Sequence, residues 1–200
     1  GNYGIVAGGL HNYVNASEAV ISGGSYNTNT GRKAVVVGGD YNTATGYAAV
    51  ISGGTHNTAS NSMAVIGGGW RNIASGAYAI VNGGLRSMAD GIGTFIGGGA
   101  DHAATGSYSL ISGGVRNNVT SSHSVIGGGK YNNVQGPYSV VSGGFQNTIK
   151  SIGAVIAGGY SNSVQEDRGF IGGGWRNVVK SPYATIVGGL RSTADGTGAF

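Results

Sequence analysis

The chain has 200 residues with 43 glycines, no cysteine, 9% charged side chains and a net charge of +4. The lack of cysteine removes disulfides and thiolate chemistry. So few charges favour acidic partners only weakly, and they leave Asn, Ser, Thr and Tyr to keep the surface wet. Two prolines, and glycines at fixed phases, exclude collagen and a flexible linker.

No apolar run approaches the length of a membrane span. The start carries neither an initiator Met nor a signal peptide, so the chain reads as a segment of a longer one. From the amino terminus, glycine pairs begin at Gly8, Gly23, Gly38, Gly53, Gly68, Gly83, Gly98, Gly113, Gly128, Gly143, Gly158, Gly173 and Gly188, always fifteen residues apart. A period this short and strict means a solenoid, because a propeller blade or helical repeat needs more residues. The expected fold is all-β: a parallel β-solenoid of about thirteen 15-residue coils over residues 1–200, forming one domain.

With the two glycines numbered slots 1 and 2, inward parity falls on slots 5, 7 and 9 and again on slots 12 and 14. Each coil is therefore two short strands with period-two patterning. Glycine at slots 1, 2 and 9 is expected where the chain reverses with positive φ or where coils approach closely. Slot 14 is always Ile or Val, from Ile21 and Val36 to Ile186, and supplies the main apolar ladder. Slot 5 is Asn12, Asn27, Asn42, Asn57, Asn72, Asn117, Asn132, Asn147, Asn162 and Asn177, with Ser87, His102 and Ser192 as exceptions. Buried amides are costly unless satisfied, so this column is expected to be structural, its amides bonding one another as in a cross-β stack. In the one coil with Glu166-Asp167 in place of the usual small residue, a turn bulge is expected.

Slot 13 has outward parity, yet it is Val20, Val35, Val50, Val65, Ile80, Phe95, Leu110, Val125, Val140, Val155 and Phe170, then Thr185 and Phe200. With small residues at slot 15, this makes a flat apolar face. At ~4.8 Å per coil it would run roughly 60 Å, more than a monomer ordinarily exposes. These residues are expected to form an intersubunit interface.

Slot 4 collects Arg71, Arg86, Arg116, Arg176 and Arg191 with Tyr26, Tyr41 and Tyr131, while slot 3 adds Trp70 and Trp175. Arg beside aromatic rings is the chemistry that grips acidic or sulfated glycans, so this ridge is a candidate glycan site as well as a cover for the turn. No nucleic-acid-binding motif accompanies it.

Residues 106–200 repeat 1–95: Gly67-Gly68-Gly69-Trp70-Arg71-Asn72 recurs as Gly172-Gly173-Gly174-Trp175-Arg176-Asn177. A seven-coil block has been duplicated, as suits a shaft whose task is reach. Open strand edges at uncapped ends also make an end-to-end filament possible. No G-G-x-G-x-D calcium pattern occurs, and the four histidines lie in different coils without carboxylate partners, so no metal is expected. No repeated carboxylate pair serves hydrolysis. Neither catalysis nor a cofactor is expected.

Segments such as Ser122-His123-Ser124-Val125-Ile126-Gly127-Gly128 resemble the head repeats of trimeric autotransporter adhesins of the YadA type, and the resemblance covers the whole chain. It implies a left-handed β-roll, a homotrimer assembled through the outward apolar residues, and an extracellular fibre that attaches to surfaces. The chain departs from that family in its fifteen-residue period and its glycine pair. Similar repeats would suit a phage or virus fibre. Ser161-Asn162-Ser163-Val164 and Arg116-Asn117-Asn118-Val119 also resemble half-repeats of a grass ice-binding β-roll, which implies a flat ice-binding face. The coils around Thr43 and Thr45 would serve, but Asp90, Gln135, Lys150, Gln165, Lys180 and Asp195 interrupt that column. The Val-x-Ser face is the more regular candidate.

Overall fold

A computed structural model describes residues 3–200, and no helix occurs among them. Twenty-six two-residue strands follow one another. Odd-numbered strands occupy slots 13 and 14, from β1 (Ile5–Val6) and β3 (Val20–Ile21) to β25 (Thr185–Ile186). Even-numbered strands occupy slots 6 and 7, from β2 (Tyr13–Val14) and β4 (Thr28–Asn29) to β26 (Thr193–Ala194). The odd and even sets form two parallel sheets of thirteen strands each. Every pairing runs in fifteen-residue register, as in Val20↔Val35 and Thr28↔Thr43. The protein is thus a parallel β-solenoid with two strands per coil, as its period requires.

By contacts the chain divides into two compact units, Gly1–Asp101 and His102–Phe200. In the first, the core between the sheets is narrow. Ala19, Ala34, Ala49, Ala64 and Ala79 at slot 12 are wholly buried beside Ile21, Val36, Ile51, Ile66 and Val81 at slot 14. Ala44, Ala59, Ala74 and Ala89 at slot 7 face them from the other sheet. The second unit keeps Ile or Val at slot 14 and, between Ala104 and Ala194 at its two ends, enlarges slot 7 to Val119, Val134, Ile149, Val164 and Val179, all fully buried.

From Asn27 to Asn177 the Asn column is fully buried, with Asn12 half-buried, and its bonding differs from the expected amide-to-amide ladder. Asn57 Oδ1 accepts the backbone N–H of Asn72 at 2.9 Å, and its Nδ2 donates to the carbonyls of Gly53 (3.1 Å) and Gly69 (3.0 Å). The same three bonds recur at Asn42, Asn132, Asn147 and Asn162. An amide-to-amide bond within the column is made from Asn27 Nδ2 to Asn12 Oδ1, at 3.1 Å. The backbone wins because each amide reaches a backbone N–H one coil on and the slot-1 glycine carbonyl of its own coil, while the slot-2 carbonyl it also bonds already takes a backbone N–H, as Gly69 O does from Thr55.

The turns also correct the expectation for glycine. Positive φ falls on slot 2, as at Gly54 (φ 82), and on slots 4 and 11, which carry ordinary residues such as Tyr41 (φ 56) and Ala48 (φ 52). A left-handed L-residue costs roughly 1–2 kcal/mol, and a reversed hydrogen bond holds it here. Strand N–H groups donate to the following coil, as Val35 does to Ala49 O at 2.8 Å. Those of Tyr41 and Ala48 donate back to Ser25 O and Arg32 O at 3.0 and 2.8 Å. At slot 9 the small residue has another cause: a Cβ on Gly46 would run into the backbone of Asn61 in the next coil. At slot 1, Gly23, Gly38 and Gly53 show neither cause: their φ is not positive, and nothing lies within 4 Å of where a Cβ would stand.

No bulge forms at Glu166-Asp167. Ser163–Val164 pairs in register with both neighbouring strands, and the Asp167 carboxylate simply accepts the N–H of Ile152 at 3.0 Å.

Candidate functional site

Two surfaces carry the residues singled out by sequence. The first lies on the odd-strand sheet, where the alternation of a β-strand turns slots 12 and 14 inward and slot 13 outward. In the first unit Val20, Val35, Val50, Val65, Ile80 and Phe95 stack in register. In the second, Leu110, Val125, Val140, Val155 and Phe170 do the same. Each flank is covered by the neighbouring coil while the outer surface faces water, leaving the valines half-buried and Phe95 and Phe170 at 37% exposed. Beside this column, slot 15 is mostly small and largely exposed, with Val37 its largest member in the first unit at 50%. No charged residue occurs in slots 12 to 15 or in slots 1 and 2 of any coil. All eighteen charges sit elsewhere, eleven Lys and Arg with seven Asp and Glu.

The second surface is the turn that carries slots 3 and 4. In the first unit, His11, Tyr26, Tyr41 and His56 stack ring on ring with centroids 4.9 Å apart. The column continues into Arg71, whose guanidinium lies 4.3 Å over the Trp70 ring. Arg86, one coil on, is held by both carboxylate oxygens of Asp101 at 2.6 and 2.9 Å. That hydrogen bond, and then the charge of Asp101, raise the Arg86 pKa above its ordinary value.

In the second unit Arg116 donates to the Tyr131 hydroxyl at 2.8 Å, and Lys130 stands 5.0 Å over the same ring. Phe145, Tyr160 and Trp175 form a run of rings, with centroids 5.0 and then 6.1 Å apart. Arg176 and Arg191 lie 4.7 and 5.3 Å over Trp175. Every ridge residue expected from sequence therefore lies in this column, but Arg86 is spent on Asp101.

Sequence reading missed a third column, at slot 11. Tyr108, His123 and Tyr138 stack at 5.3 and 5.1 Å, and Arg168 donates to the Tyr183 hydroxyl. Tyrosine recurring at 78, 108, 138 and 183, in steps that are multiples of fifteen, was the available signal. On the even-strand sheet, Thr28, Thr43 and Thr58 are in register, with Thr30, Thr45 and Ser60 exposed beside them. Among the described residues no group of three or more His, Cys, Asp or Glu is placed to hold a metal ion.

No protein-family model matches the chain, and no curated protein matches it.

Proposed function

We propose that the chain is a segment of an extracellular fibre, in which identical copies pack together through their slot-13 faces around a common axis. Three copies is the number that the resemblance to trimeric adhesin heads implies. The observation that carries the reading is an outward apolar column, in register from coil to coil, set in a surface whose slots 13, 15, 1 and 2 carry no charge in any coil. A cyclic assembly brings the same columns of each copy together, so a charge on any of them would meet its own copy; here that conflict is absent. The slot-1 glycines add support. Their own coil sets no steric demand for glycine there, whereas a neighbour packing closely on the face would.

Native mass measurement tests this. The expected mass is three times the 19.8 kDa of the chain. Val50→Arg with Val140→Arg should return it to a single copy while keeping the β spectrum, because both side chains point outward. A wild-type chain that stays monomeric at tens of micromolar sinks the proposal.

Within this fibre role, attachment is assigned to the slot-3 and slot-4 column, with acidic glycans as the partner. A second reading, ice binding, is favoured by one observation: the in-register Thr28, Thr43 and Thr58 beside the exposed Thr30, Thr45 and Ser60 on the even-strand sheet. A monomer that arrests ice growth, and loses that activity on Thr43→Tyr, would support it over the fibre.

A further inference from the structure

Resting on the reading of the slot-3 and slot-4 column as a ligand-facing surface, we propose that Trp70–Arg71 and Trp175–Arg176 are two copies of one site. Each would take a single oxyanion, sulfate or carboxylate, carried on an acidic polysaccharide. The chain has two tryptophans, and each is followed by arginine within the same Gly-Gly-Trp-Arg-Asn sequence, at 68–72 and at 173–177.

Both arginines are exposed, and both place the guanidinium over the indole next to them, at 4.3 and 4.7 Å. Stacking uses the face of the guanidinium and leaves its N–H edges outward, the fork that matches a carboxylate or sulfate. Among the described residues neither arginine has a carboxylate partner; the ion pairs use Arg32, Lys33 and Arg86 instead. The backbone beneath is fixed as well. Arg71 (φ 53) and Arg176 (φ 55) donate their N–H groups to Thr55 O and Tyr160 O at 3.0 and 2.8 Å. Platform and anchor together lower the entropy that an anion must overcome to order the side chain.

The fold itself does not demand arginine there, since slot 4 is Tyr41, His56, Gln146 or Ser161 in other coils with the same left-handed backbone. Arg86 supplies the contrast, because Asp101 already occupies its fork. Polysaccharide is favoured over nucleic acid because only eleven cations are spread over 200 residues. A duplex carries a charge every ~1.7 Å and calls for a dense basic stripe. Forks this sparse, one arginine over Trp70 and two over Trp175, suit a polymer with about one oxyanion per sugar, flanked by hydroxyl and amide side chains.

The test uses the full chain immobilised on a biosensor, with four probes: a heparin-type sulfated oligosaccharide, a hyaluronan-type carboxylated one, neutral dextran, and a 20-nucleotide single-stranded DNA. Wild type should bind at least one acidic oligosaccharide and not dextran, and the sulfated and carboxylated arms identify the anion. The double variant Arg71→Gln with Arg176→Gln should weaken that binding about tenfold or more, the loss of a charge-assisted bond, at unchanged melting temperature. Arg86→Gln should change it less than about twofold, and the double Lys variant should recover it only in part because the planar fork is lost. If acidic sugars bind but the Arg71 and Arg176 variants leave binding unchanged, the two-site proposal is overturned and the broader column reading survives. If no acidic sugar binds, both fall. Tighter binding of the DNA than of either oligosaccharide overturns the proposal in favour of a nucleic acid.

Discussion

The backbone N–H of Asn72 points at the side-chain Oδ1 of Asn57, 2.9 Å away and one coil earlier. This bond couples each coil to the next through a side chain, in addition to the strand pairs. Truncating Asn57 to Ala would leave that N–H and the Gly53 carbonyl without their partner in a dry interior, and would take one of two donors from the Gly69 carbonyl, which keeps the N–H of Thr55. The expected loss is about 3–5 kcal/mol, measured by urea denaturation. Asn57→Asp should be worse at neutral pH, because one carboxylate oxygen would face those two carbonyls. Burial would raise the introduced carboxyl above its unfolded value of ~3.9, so its penalty should grow as pH rises past that value and shrink in acid. A neutral-pH stability for the Asp variant equal to wild type would refute this account of the column.

How much of this was readable beforehand depended on the residue. The outward parity of Val50 was legible because it stands between Ala49 and Ile51, an alternation that recurs along the chain with Ala, Ser, Thr or Gly at slot 12, and a two-residue strand turns parity directly into exposure. The burial of Asn57 was legible for the same reason. Its partner was not, since a column of amides fits both amide and backbone acceptors, and the choice depends on side-chain torsions. The left-handed turns at Tyr41 and Ala48 had no signature at all. Slot 11 holds Glu18, Lys33, Ala48, Met63 and Tyr78, which share no preference for positive φ, and inter-coil hydrogen bonds impose it. In the ridge, Arg and aromatic columns were visible, but the neutralisation of Arg86 depended on noticing that Asp101 stands fifteen residues on.

Gly53 and Gly54 are adjacent and equally regular in sequence, yet they should respond oppositely to Ala. Gly54 has φ 82, and a Cβ there would collide with the carbonyl oxygen of Gly69 and approach Asn57 Nδ2 at 2.7 Å. Gly54→Ala should cost more than about 3 kcal/mol. Gly53→Ala meets open space and should lie within about 1 kcal/mol of wild type, on the stabilising side through the unfolded state. Measuring both in the Val50→Arg and Val140→Arg background isolates the effect on a single copy. In the wild-type background Gly53→Ala should lower the assembled fraction. Equal destabilisation by the two substitutions would contradict the geometry of the pair.

Serine at slot 12 offers a test of opposite signs. Ser109 Oγ is buried without a hydrogen-bond partner among the described residues, whereas Ser124 Oγ donates to Gly136 O at 3.0 Å and accepts the N–H of Ser139 at 3.2 Å. Ser109→Ala removes an unsatisfied hydroxyl and should stabilise by about 1 kcal/mol, while Ser124→Ala should destabilise by about 1–2 kcal/mol. Thermal melts of the two variants decide the matter, and a shared sign would show that buried hydroxyls are not what distinguishes them.

The two units should differ in local stability because their cores differ at slot 7. Ala59 and Ala74 in the first unit correspond to nothing larger than a methyl group, while Val134, Ile149 and Val164 in the second bury branched side chains completely. Each Ala-to-Val difference adds about two methyl-sized groups, worth roughly 1.6 kcal/mol at ~0.8 kcal/mol per group. Opening a coil of the second unit therefore exposes more apolar surface. Hydrogen exchange followed by mass spectrometry should find the even-strand amides, such as that of Thr148, exchanging at least about tenfold more slowly than those of Thr43 and Thr58. Val134→Ala should narrow that gap around its own coil by creating a cavity costing about 2 kcal/mol, with little effect on Thr43. Faster exchange in the second unit than in the first would mean that slot 7 does not set the local stability, and that the narrow Ala-lined core is the better packed of the two.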